Sequence, residues 1–343
     1  MSASPKGPNP LKGWQVDRSQ IRTIGTNLQR PECILAERDG TLWAADARGG
    51  VMRIAPDGGQ DLVTQSQSQH FDLAGDQAKS LLTGTLPNGL AFARNSDILI
   101  SNFGTDRLEI MTRKGETRVL HDTIDGKPMG KVNFVLRDSK DRIWITVSTM
   151  VNPWSDAIRS DLADGYIALV DEKGIRVVAD GFAFTNEIRL DAEEEWLYVA
   201  ETCGKRVVRL KVQPDGSLTD REVYGPSNLG DGLIDGFAFD AYGNLWCTMI
   251  FADRLVAITP DGEALTLLED GDPQQTAAFE AEFASGKPMR FDTLAASGGT
   301  IAPWLASVTF GGLDLRTVYL GSLKGNTIPY FRAPVAGLPL VHW

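Results

Sequence analysis

The chain has 343 residues, 42% hydrophobic and 23% charged, with a net charge of −11, the composition of a globular protein with ample core material. That acidic balance leaves no basic surplus to neutralise phosphates or an anionic membrane surface, which argues against nucleic acid and membrane as partners. Three scattered cysteines without a C-x-x-C pair, no apolar run of 18 residues and a polar start without a signal-peptide core lead to the expectation of a cytoplasmic protein with reduced thiols.

Residues 1–13, polar and rich in Pro and Gly, are expected to be a flexible N-terminal segment. From there short apolar runs bounded by Asp, Gly and Asn recur, the signature of strands and tight turns rather than helices. One pattern returns six times: an apolar strand, a turn with Asp or Gly, then a strand opening on Leu, Ile or Trp. Its copies are 33–46, 89–100, 133–144, 186–198, 235–246 and 307–319. Several continue into a third strand, as at 50–54, 107–110, 206–210 and 254–258, often followed by a Gly turn such as 56–58. Repeats of three or four strands that cannot bury their faces alone predict an all-β fold, a six-bladed β-propeller of four-stranded blades around a central channel. A β-sandwich would not need such a repeat. Either 14–28 or the run after Ile328 supplies the strand that completes the last blade, making 1–343 a single domain. Long insertions at 65–85, 149–164 and 271–297 are expected to cover the channel or to mediate self-association as a homo-oligomer.

The first residues of the blade-opening strands should face the channel, and five of them are polar: Glu32, Asn88, Asn133, Asn186 and Asp235. Glu32 to Trp43, Asn133 to Trp144 and Asp235 to Trp246 are each eleven residues apart, so the polar residues occupy one equivalent position and should converge. Two carboxylates meeting on an axis call for a cation, and such hard oxygen donors suit Ca²⁺, Mg²⁺ or Mn²⁺. Read alone, each residue could instead cap a strand or satisfy a channel water.

At these residues the chain resembles the SMP-30/gluconolactonase family of regucalcin-like sugar lactonases, including luciferin-regenerating enzyme-like proteins. The resemblance rests on Pro31-Glu32, on 181–186 with 197–202, on 234–236 with 243–246, and most specifically on 308–312 with 315–322. It implies one divalent cation, Ca²⁺ first (with Mg²⁺, Mn²⁺ or Zn²⁺ accepted in vitro), on Glu32, Asn186 and Asp235. It also implies Asn133 in contact with water and substrate, and Asp235 as general base. Phe134 and Glu187 depart from the family pattern, as do Met129 and Lys131. A Phe at 134 predicts a less polar pocket, suited to an apolar or aromatic lactone.

The expected chemistry is hydrolysis of a cyclic ester, with the carbonyl polarised by the ion, a water activated, Asp235 taking its proton and Asn133 placing water or carbonyl. Substrate contacts are expected from Asn88, Asn133, Phe134, Glu187, His121 and Trp154. No G-x-S-x-G elbow and no H-E-x-x-H run occurs, which argues against a serine hydrolase or a zinc peptidase. Of the three histidines, His121 precedes the third blade and is the one expected near the channel rim. Trp43, Trp144, Trp196 and Trp246 are expected to be core, whereas Trp154 lies in a loop that could cover the channel. The competing functions are a non-catalytic propeller that binds a metabolite or protein, and another metal-assisted reaction such as elimination, epimerisation or cleavage of a different bond.

Overall fold

The computed structural model describes residues 7–66 and 85–343. Six four-stranded antiparallel sheets follow one another along the chain. In the first five, four consecutive strands form one blade. The sixth takes three strands from the C-terminal end and its outermost strand, Arg22–Ile24, from the N-terminal end, paired with Ile328–Arg332. That exchange closes the ring and settles the two options for the closing strand in favour of the N-terminal one. The insertion at 65–85 and His70 lie almost entirely outside the described residues. Among those residues no helix is long and apolar enough to cross a membrane.

The tryptophans show how the repeat packs. Trp43, Trp144 and Trp246 are fully buried, and each indole N–H donates to a carboxylate six residues earlier: Glu37 at 2.6 Å, Asp138 at 2.9 Å and Asp240 at 2.9 Å. A large ring can therefore fill the space between blades without leaving a buried donor unpaired. Trp196 breaks the expectation. It opens its strand half-buried under the Arg209 guanidinium, 4.3 Å from the ring. The eleven-residue step from Asn186 lands on Leu197, which is the fully buried core residue.

The N-terminal segment is packed from Asn9 onward rather than loose. Asn9 donates to Asn244 at 2.6 Å, Leu11 is buried, and Trp14 meets Trp246 at 5.8 Å. All three cysteines are buried free thiols. The 271–297 insertion forms helices α1 (Pro273–Phe283) and α2 (Phe291–Ala296). Asp272 caps α1, accepting from the N–H groups of Gln274 and Gln275, with Pro273 at the first helical position. Phe279 of α1 stacks on Phe251 at 4.9 Å, which ties the insertion to the ring.

Candidate metal centre and active site

Five of the six blades carry a one-residue bulge at the start of the inner strand, one of them between Leu305 and Ser307, and the other four hold polar residues. In those four the register slips between Pro87 and Leu90, Val132 and Phe134, Thr185 and Ile188, and Ile234 and Phe237. These bulges contain Asn88, Asn133, Asn186 and Asp235. A bulge re-aims a side chain and frees backbone N–H groups from the ladder. Hydroxyls of the second strand accept those N–H groups: Ser101 from Gly89 (2.8 Å), Thr146 from Phe134 (3.0 Å) and Thr248 from Gly236 (2.9 Å). Adjacent blades press together here. A Cβ on Gly236 would stand 2.5 Å from both Ala306 O and Glu187 Oε1, so only glycine fits.

The side chains so aimed meet in one cavity of about 420 Å³, its open mouth included. Its polar lining is Arg30, Glu32, Asn88, Asn133, Asn186, Thr202 and Asp235. All five residues expected at the equivalent blade position are therefore brought together. Asn88 is fully engaged, accepting from Arg30 Nη2 at 2.5 Å and donating to the Asn133 carbonyl at 3.0 Å. Asn186 donates its amide N–H to Thr202 Oγ1 at 3.2 Å, which turns its oxygen the other way. Glu32 Oε2, Asn133 Oδ1, Asn186 Oδ1 and Asp235 Oδ1 are buried without a hydrogen-bond partner.

Electrostatics agree with a site short of positive charge. Burial pushes the Glu32 carboxyl up to about 7, with Glu187 adding to the rise and Arg30 opposing it. Asp235 is raised well above the ordinary carboxylate range by burial, then by Glu32 and Glu187, with Arg30 again opposing. Orphaned buried oxygens and carboxylates that resist ionising are what a hard cation would relieve. Among the described residues no three His, Cys, Asp or Glu side chains form a metal cluster. The donors are two carboxylates and two amides, a set that fits Ca²⁺, Mg²⁺ or Mn²⁺ and not a thiolate or imidazole metal.

Trp154 lines the cavity, and with Ile158 it brings the 149–164 loop to the channel mouth. Three other expected contacts lie elsewhere. Phe134 faces a separate pocket further along the channel, under the Arg189 guanidinium at 4.5 Å. Glu187 is held by Arg189 at 2.7 Å, and both are buried. A bulge changes which way neighbouring side chains face, and Phe134 and Glu187, each beside a cavity asparagine, are absent from the cavity lining. His121 lies on the outermost strand of its blade, Thr117–His121, paired with Leu108. Three strand spacings, about 14 Å, separate such a strand from the innermost one.

The rest of the lining was not foreseen: Phe103, Ile158, Phe184, Ile250, Phe251 and Leu323, with Arg30 and Thr202 at the floor. Antiparallel pairing sets the end of each second strand beside the start of the first, as in Pro87 with Asn102 and Leu233 with Ile250. The residues following second strands therefore share the cavity end of the ring, a signal readable in the repeat. Arg30, Phe184 and Phe251 all hold left-handed backbone (φ 56°, 61° and 73°), and strain in bulky residues gathers at functional sites.

Residues 30–278 match the SMP-30/Gluconolactonase/LRE-like region. The 308–322 segment, on which the resemblance leaned most, falls outside that match. The chain is 26% identical to the 6-deoxy-6-sulfogluconolactonase of Pseudomonas putida over 168 residues, 48% of this chain and 47% of that protein. It thus spans about half the length of this curated relative. Two solved structures share the fold. One is a gluconolactonase from Xanthomonas campestris (18% identity, TM-score 0.65, covering 92% of this chain and 89% of that one). The other is a calcium-binding regucalcin from Agrobacterium tumefaciens (15%, TM-score 0.65, 93% and 95%). With a ring of six bladed repeats, a converged Glu–Asn–Asp floor and a profile match across most of its length, the chain belongs to the SMP-30/gluconolactonase/LRE-like family.

Proposed function

We propose that this protein opens a small-molecule lactone with the aid of one divalent cation, Ca²⁺ in the first instance, held by Glu32, Asn186 and Asp235. The observation that carries the reading is the set of four buried oxygens without a hydrogen-bond partner, on Glu32, Asn133, Asn186 and Asp235, around a single cavity. When bound, the ion supplies a Lewis acid for the ester carbonyl and lowers the pKa of a water. The Asp235 carboxylate accepts the proton of the attacking water. The Asn133 amide orients that water or the carbonyl. Asn88 keeps Asn133 in place through its backbone carbonyl. The apolar upper wall, with Phe103, Trp154, Phe184 and Phe251, excludes bulk water and favours a lactone bearing an apolar or aryl group. This supports the apolar substrate expected from Phe134, but through other residues.

The test is a panel of aldonolactones, alkyl lactones and aryl lactones, assayed after EDTA treatment and again with Ca²⁺, Mg²⁺, Mn²⁺ or Zn²⁺ restored. Turnover that disappears with EDTA and returns with the ion, and that is lost in Asp235→Ala together with ion binding, is the expected result. Full activity of Asp235→Ala would sink the mechanism. Identification of an unsaturated acid in place of a hydroxy acid would replace hydrolysis by elimination.

A further inference from the structure

The carboxylate floor already contains a cation. Arg30 is 8% exposed and stands two residues before Glu32 on left-handed backbone. Its Nη1 donates to the Pro87 carbonyl at 3.1 Å and its Nη2 to Asn88 Oδ1 at 2.5 Å. The same Nη2 lies 3.1 Å from Glu32 Oε2, without the alignment of a hydrogen bond. Around the channel axis Glu187 is matched by Arg189, which among the described residues leaves Arg30 as the cation set against Glu32 and Asp235. Arg30 is therefore drawn to the same oxygens that a divalent ion would need.

We propose that Arg30 is a resident counter-cation that competes with the divalent ion for Glu32, holding the metal-free floor together and setting how tightly the ion binds. The inference rests on the metal reading above. A guanidinium this close to a ligand oxygen repels an incoming cation in a region of low dielectric, where charges act strongly. In the absence of the ion the same guanidinium offsets part of the cost of two buried carboxylates, so the fold does not depend on metal. Arg30 thus acts on the ion through Glu32 and through the local charge, as a positioning residue.

The experiment titrates Ca²⁺ calorimetrically into the EDTA-stripped full chain and into Arg30→Gln and Arg30→Lys, and follows melting in EDTA and in saturating Ca²⁺. Arg30→Gln should bind Ca²⁺ on the order of 10-fold to 100-fold more tightly, melt below the parent protein in EDTA, and recover in Ca²⁺. Arg30→Lys, which keeps the charge, should stay close to the parent. An Arg30→Gln chain that unfolds in EDTA but is rescued by Ca²⁺ also supports the proposal. Binding that is unchanged or weaker in Arg30→Gln, a chain unfolded in both conditions, or Arg30→Lys behaving like Arg30→Gln would overturn it. Uptake of no cation by parent or variant would remove the metal reading itself, whereas equal uptake by both would remove only the role of Arg30.

Discussion

Replacing Glu32 by Gln should stabilise the metal-free protein and destabilise the metal-loaded one. Burial raises the Glu32 carboxyl from 4.5 to about 7, so the folded state holds its proton more tightly than the unfolded chain. The neutral form is thus favourable below the unfolded value, and that advantage is lost as pH rises through 7. At about 1.36 kcal/mol per pH unit the ionised group costs the fold about 3 kcal/mol at pH 8.5, and less than about 1 kcal/mol at pH 5. Gln, always neutral and nearly the same shape, escapes this cost. For a chain of this length about 0.7 kcal/mol corresponds to one degree of melting temperature, which gives a rise of about 4–5 °C in EDTA at pH 8.5. In saturating Ca²⁺ the order should reverse, because the amide is a poorer ligand than the carboxylate. Calorimetric melting of both proteins at the two pH values, with EDTA and with Ca²⁺, measures all four quantities. If Glu32→Gln melts below the parent in EDTA at pH 8.5, the carboxylate is not strained by burial and the electrostatic case for a cation fails.

Three more outcomes follow from the same geometry. Ca²⁺ affinity should increase between pH 5.5 and 8, with net release of protons from the Glu32 and Asp235 carboxyls on binding, as calorimetry in buffers of different ionisation enthalpy would show. Trp154→Ala, which removes the ring set edge-on to Phe103 at 6.1 Å, should raise KM for an apolar lactone about 10-fold with kcat little changed. Equal losses in kcat and kcat/KM would instead place Trp154 in the chemical step. Asp138→Ala should cost about 3–5 kcal/mol in urea unfolding. It leaves the buried Arg142 guanidinium and the Trp144 indole without their acceptor.

The fold was largely legible because a blade repeats its local signals. The Asp and Gly turns and the eleven-residue step from Glu32 to Trp43 mark the same pair of strands in successive copies. The step even identifies its own exception, since Leu197 and not Trp196 completes it from Asn186. The floor of the site was legible for the same reason: equivalent positions on a closed ring converge, so Glu32, Asn88, Asn133, Asn186 and Asp235 could be read together. Phe134 and Glu187 were misplaced because a bulge makes the direction of the residue beside it depend on the local register, which a linear pattern does not display. His121 is close in sequence to the third blade, yet lies on an outer strand, because each blade runs outward before the chain returns to the axis.

By itself the sequence determined the number of blades, the strand order within them and the five polar residues of the floor, since each depends on short-range patterns repeated around a ring. Only the tertiary structure decided which terminal strand closes the sixth blade, which apolar side chains wall the cavity, and that a buried arginine shares its floor. Those features join residues far apart in the chain, as when Arg30 meets Asn88 and Pro87 or helix α1 packs on Phe251. Their energies come from packing and from charge at close range, and neither is fixed until the ring has closed.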